Sequence, residues 1–142
     1  MIDENFVNAA VRIRREYLKV NSNLDLYKRR AREITANIDN LIHKVEDIQE
    51  NFADDRNSVE EAVGELSKVV QEFEIEGQKL QKLVDPLNKQ VEKLGLEEQE
   101  LWRAIKIKHG DLPENVIIEY VKQRLIRENL SWEKGFLFLY IH

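Results

Sequence analysis

The chain has 142 residues, with 22 basic and 27 acidic side chains against 5 glycines, 2 prolines and no cysteine. This composition predicts a single elongated domain, residues 1–142, of long charge-coated helices, and it excludes a disulfide frame and thiol chemistry. The net charge of −5 argues against indiscriminate nucleic-acid binding, and the longest uninterrupted apolar run, Phe136 to Ile141, is too short to span a bilayer.

The opening stretch, "MIDENFVNAAVRIRREYL", is acidic and then basic with no long apolar centre, so it does not read as a signal peptide. A cytoplasmic protein is expected, with nuclear and virion-associated placements left open. From Phe6, steps of four and three land on Ala10, Ile13, Tyr17, Val20, Leu24, Tyr27, Ala31, Ile34, Ile38, Leu41, Val45, Ile48 and Phe52. Every one is apolar or aromatic. A repeat of 3.5 residues keeps one stripe of a helix facing a partner, so residues 6–52 are predicted as the first arm of a coiled coil.

The pattern stops at "ADDRNS", residues 53–58, which is predicted as a loop. Ser58 and Glu61 have capping-box spacing and would start a second arm near Val59. Its seam runs from Val59 to Ile105 and is broken only by Gly77 and Glu98. The arm is predicted over 59–109. The two seams are equal in length, roughly 70 Å of helix each. Equal arms around a short polar loop predict an antiparallel helical hairpin. A strand hairpin between the helices, as chaperones of the prefoldin type carry, has no room in six residues.

In such a hairpin, facing residues have numbers that sum to about 111, a register that follows from the loop position and the seam period. Glu98 then falls opposite Ile13, beside Arg12, Arg14 and Arg15. Ile42 faces Val69. Gly77 faces Ile34, where a missing side chain would let the backbones approach. Pro86 falls opposite Asp25, next to "VNSN" (residues 20–23), the poorest helix-forming stretch of the first arm. The heptad phase continues unchanged from Val84 to Leu87. A kink is therefore predicted, with Asn21, Ser22, Asn23 and Pro86 as a hinge.

Gly110 is predicted as a left-handed C-cap, and Pro113 as the first turn of a third helix over 113–130. Its apolar face would be Val116, Ile117, Tyr120, Val121 and Leu125. An apolar tail, 131–142, follows, with a turn near Trp132 and Gly135. The fold class expected is all-α: an antiparallel coiled-coil hairpin, a short third helix and this tail. Phe136, Phe138 and Tyr140 are candidates for binding a partner's sheet edge, with packing on the chain's own core as the alternative.

Charge is unevenly spread. Residues 35–77 hold three bases (Lys44, Arg56, Lys68) against twelve acids. A basic belt precedes them at Lys28, Arg29, Arg30 and Arg32, with Lys79 and Lys82 nearby across the seam. No phosphate-cradling glycine loop is present, and His43, His109 and His142 are scattered without HExxH spacing. No catalytic residue, metal ligand or cofactor is expected. Three roles remain: a non-enzymatic assembly protein that self-associates or bridges protein partners, a binding module or inhibitor that docks through its acidic tip or its tail, and a nucleic-acid accessory protein that uses the belt.

Overall fold

A computed structural model of the chain describes residues 2–51, 55–133, 135 and 136, apart from the side chain of Ser58. Among the described residues the architecture is all-helical: α1 spans Glu4–Asn51, α2 Arg56–Lys108 and α3 Glu114–Arg127. Of the predicted seam residues described, only Ala31 is exposed; the others are half-buried or buried. The heptad count thus finds the inward stripe of both long helices.

The helix ends are made by local chemistry. Asp3 precedes α1: its Oδ1 accepts the Asn5 N–H at 2.9 Å, and its carbonyl accepts the N–H of Phe6 at 3.0 Å. This satisfies donors that a first turn leaves unpaired. α2 begins three residues before Val59, at Arg56. Asp55 precedes it, and its carbonyl accepts the Val59 N–H at 3.0 Å. Ser58 therefore lies in the first turn and is not the N-cap, because aspartate starts a helix as readily as serine.

The C-terminal ends also differ from expectation. Gly110 is not left-handed; the described positive-φ residues are Asn129 (φ 57°) and Gly135 (φ 84°). Glycine fits at 110 for another reason: a Cβ there would lie 2.8 Å from the Lys106 carbonyl oxygen. Pro113 (φ −62°, ψ 144°) stands just outside α3 as its N-cap. At the far end Asn129 takes the left-handed position. Its N–H reaches the Ile126 carbonyl at 3.1 Å, and the Leu130 N–H reaches back to Leu125 at 2.9 Å. These two bonds form a Schellman motif, which stops the helix before residue 130.

The chain divides into two compact units, Met1–Asn23 with Leu87–His142, and Leu24–Pro86. In the first unit, segments of all three helices share one core. Val7, Ile105, Ile117, Val121 and Leu125 are fully buried, with Ile13, Tyr17, Leu94, Leu101 and Trp102 around them. Each such aliphatic side chain contributes about 1.5–3 kcal/mol on leaving water. The predicted face of α3 is the one used, although Val116 at its edge stays exposed.

The second unit holds the remainder of α1 and α2 and no third helix. Here only Leu24 and Ile34 reach core-level burial; the other described seam residues apart from Ala31 are half-buried. Gly77 does not serve a close approach of backbones, since a Cβ added there would meet nothing within 4 Å. Ile42 and Val69 both keep substantial exposure (44% and 36%). α1 runs through Asn21, Ser22 and Asn23, and α2 through Pro86, without a break in either helix. The division between the units falls at Asn23/Leu24 and at Pro86/Leu87.

Candidate functional site

The first unit contains a polar centre that heptad counting only partly anticipates. Arg14 and Glu98 are both buried (3% and 6% exposed) within otherwise apolar surroundings. Burial pushes the Arg14 guanidinium down from its ordinary value, while the negative charge of Glu98 opposes the shift. The seam position that carries a carboxylate is thus compensated by a guanidinium that shares its burial. Arg12 Nη2 donates to Glu97 Oε2 at 3.0 Å, so the acidic set of α2 does meet the arginines of α1.

A second polar cluster ties the start of α1 to the end of α2. The Asp3 N–H donates to His109 Nε2 at 3.1 Å, and Lys108 Nζ donates to the Asp3 carboxylate. The Lys108 hydrogen bond, helped by the Asn5 N–H, holds the Asp3 carboxyl below its ordinary range. The His109 ring stands edge-on to Phe6, with centroids 6.1 Å apart. These groups have fixed partners in the fold.

Phe136, a candidate either for partner binding or for packing on the chain's own core, packs inward. Its ring lies 4.6 Å, centroid to centroid, from that of Tyr17, and it is 4% exposed. Gly95 makes room for it: a Cβ there would come within 3.3 Å of the Phe136 ring. Gly135 turns the chain in with φ 84°, and a Cβ at this position would fall 2.4 Å from the Tyr17 ring. Nearby, Lys122 Nζ sits 4.3 Å from the centroid of Trp132. The other two tail candidates, Phe138 and Tyr140, lie outside the described residues.

The basic belt belongs to the second unit, but its members do not gather on one face. In the heptad, Arg29 and Arg32 occupy the outer side of α1 and Lys28 the flank opposite Arg30, while Lys79 and Lys82 occupy the outer side of α2. All five are exposed. Arg30 turns inward along one flank instead. Its Nε and Nη2 donate to Glu76 Oε1 and Oε2 at 2.7 and 3.0 Å, and its Nη1 donates to Glu33 at 3.2 Å. These bonds raise the Arg30 pKa and lower that of Glu76. Arg30 is thus committed to structure, which leaves the belt weaker than its sequence suggests.

On that same flank the structure brings together residues that the charge count overlooks. Arg30 and Glu76 are both at heptad position g. Ala62, Val69 and Leu83 occupy the same position of α2 at seven-residue spacing. Val69 is 36% and Leu83 49% exposed. Ala62 and Val69 line a shallow groove with Ile48 and Leu66, edged by Lys44, Asp47 and Glu65. A helix that is apolar at a, d and g has a stripe wider than one partner helix covers. The signal was present in the sequence, as apolar residues recurring off the seam.

Among the described residues, no cluster of three or more His, Cys, Asp or Glu side chains is placed to hold a metal ion. No helix among them is long and apolar enough to cross a membrane. No protein-family model, curated protein or solved structure matches the chain.

Proposed function

We propose that this chain is a non-enzymatic assembly protein, built on an antiparallel coiled-coil hairpin, that associates with itself or bridges protein partners. The observation that carries this reading is the uneven burial of the seam in the two units. In the first, α3 and Phe136 close the core, although Leu96, Ile107, Val116 and Ile126 stay exposed outside it. In the second, only Leu24 and Ile34 of the seam reach core-level burial, and Val69 and Leu83 beside it remain 36% and 49% exposed. Apolar surface recurring along a helical pair gains free energy when another surface covers it. The antiparallel pairing is supported by contacts within each unit. Asp3 meets Lys108 and Arg12 meets Glu97 in one, and Arg30 meets Glu76 in the other.

Sedimentation equilibrium of the purified chain over a wide concentration range tests the reading. Reversible dimers or larger species are expected. A chain that stays monomeric at high micromolar concentration, and that cross-links to no protein in its native host, overturns it.

A second reading, docking on a larger complex, draws on the acidic half. Residues 35–77, with twelve acids and three bases, would complement a basic protein surface. Here the chain would be monomeric, and its complexes would dissociate as salt is raised. The nucleic-acid reading draws less support, because the exposed bases divide between the two helices and Arg30 is taken by Glu76 and Glu33.

A further inference from the structure

We infer that the flank carrying Ala62, Val69, Glu76 and Leu83 is the interface between two copies of this chain, packed about a two-fold axis near Glu72 and Phe73. The inference rests on the self-association reading and names its surface. Four positions at seven-residue spacing form a stripe about 30 Å long on α2. Three are apolar. The fourth, Glu76, is held by both guanidinium prongs of Arg30, so its charge is neutralised before any second copy arrives. Without that pair, a carboxylate in the stripe would oppose burial.

What identifies the occupant as a second copy is complementarity within the stripe. A two-fold axis between residues 72 and 73 reverses it. Leu83 then faces Ala62 of the second copy, a large side chain against a small one, and the reverse contact repeats at the other end. Val69 faces the neutralised Glu76. The adjacent row on the outer side of α2 reads Glu65, Glu72, Lys79, and all three are exposed. The same axis sets Lys79 against Glu65 of the second copy, twice. An isologous interface needs one patch to fit itself. Leu83 with Ala62 and Lys79 with Glu65 do so at each end. The exposed Glu72 lies beside Glu72 of the second copy at the axis, on the solvated rim where water screens the two charges. Two hairpins joined this way form a four-helix arrangement, and a helix apolar at a, d and g suits it.

The test is a charge reversal read by sedimentation equilibrium of the full chain. Lys79→Glu places glutamates against glutamates and should weaken the dimer by about tenfold or more, given two opposed pairs. Adding Glu65→Lys to the same chain restores opposite charges and should return the dissociation constant to near the wild-type value. Leu83→Lys should abolish the dimer, with helicity by circular dichroism unchanged because the site is exposed in the single chain. Since the chain has no native cysteine, Glu72→Cys should cross-link through a disulfide, while Arg29→Cys on the outer face of α1 should not. A wild-type chain that dimerises but is indifferent to Lys79→Glu and Leu83→Lys overturns this interface and leaves the self-association reading standing. A strictly monomeric wild-type chain overturns both.

Discussion

Arg30 and Glu76 form a two-pronged ion pair between α1 and α2, with Nε–Oε1 at 2.7 Å and Nη2–Oε2 at 3.0 Å. Both side chains keep about 40% of their surface exposed (41% and 40%), so water screens the attraction. Glu76→Gln should lower stability slightly at low salt and hardly at all at high salt, read as the urea midpoint. The bonds from Arg30 lower the Glu76 pKa, so the pair's contribution is present above the ordinary carboxylate range. It should fade as pH falls through the lowered value of the folded state.

The buried pair in the first unit should behave differently. Glu98→Ala leaves Arg14 inside without its countercharge and should cost about 3–5 kcal/mol in denaturant unfolding. The double change Arg14→Met with Glu98→Leu should be far milder, because it removes both charges and refills the space. If Glu98→Ala proves as mild as the double variant, the two charges do not depend on each other.

Two glycines should respond in opposite directions to alanine. At Gly135 the backbone is left-handed and a Cβ would meet the Tyr17 ring, so Gly135→Ala should destabilise by about 1–3 kcal/mol and expose Phe136. At Gly77 a Cβ would meet open space inside a helix, so Gly77→Ala should stabilise by about 0.5–1 kcal/mol. Thermal melts of the two variants decide the matter.

Asp3 caps α1 and pairs with Lys108. Asp3→Asn keeps a capping oxygen but loses the ion pair. Because the folded pKa of Asp3 is lowered, its contribution is present above the usual carboxylate range and vanishes as pH falls through the folded value. The variant should therefore be less stable than wild type at neutral pH and equally stable in strong acid, as measured by urea unfolding at both.

Pro86 sits exposed inside an unbroken helix and withholds one backbone N–H from the ladder. Pro86→Ala should stabilise the chain, by up to about 3 kcal/mol, as a proline inside a helix costs roughly that much. Amide exchange around Lys82, which would gain a hydrogen-bond donor to its carbonyl, should slow.

Much of this was legible in the residue order. Two long helices follow from a 3.5-residue apolar period, and a third from the spacing of Ile117, Val121 and Leu125. Those patterns are local, and a helix reports its buried face through them. The helix starts were less legible, since Asp55 and Ser58 can each cap a helix and only the folded chain chooses between them. Neither C-terminal end was legible: Gly110 after α2 is not left-handed, and the left-handed stop of α3 falls on Asn129, which carries no glycine signal. Trp102 and Val11 are off the seam, and α3 and the chain around Phe136 complete the core in which they are buried.

The sequence by itself determined the helices, their inward stripes and the acidic half, because periodicity and charge depend only on residue order. The tertiary structure decided what each side chain meets. It placed Phe136 on Tyr17 and tied Arg30 to Glu76, taking one member out of the basic belt. It also left the flank of Val69 and Leu83 uncovered. Burial and pairing depend on residues far apart in the chain, and no local pattern carries that information.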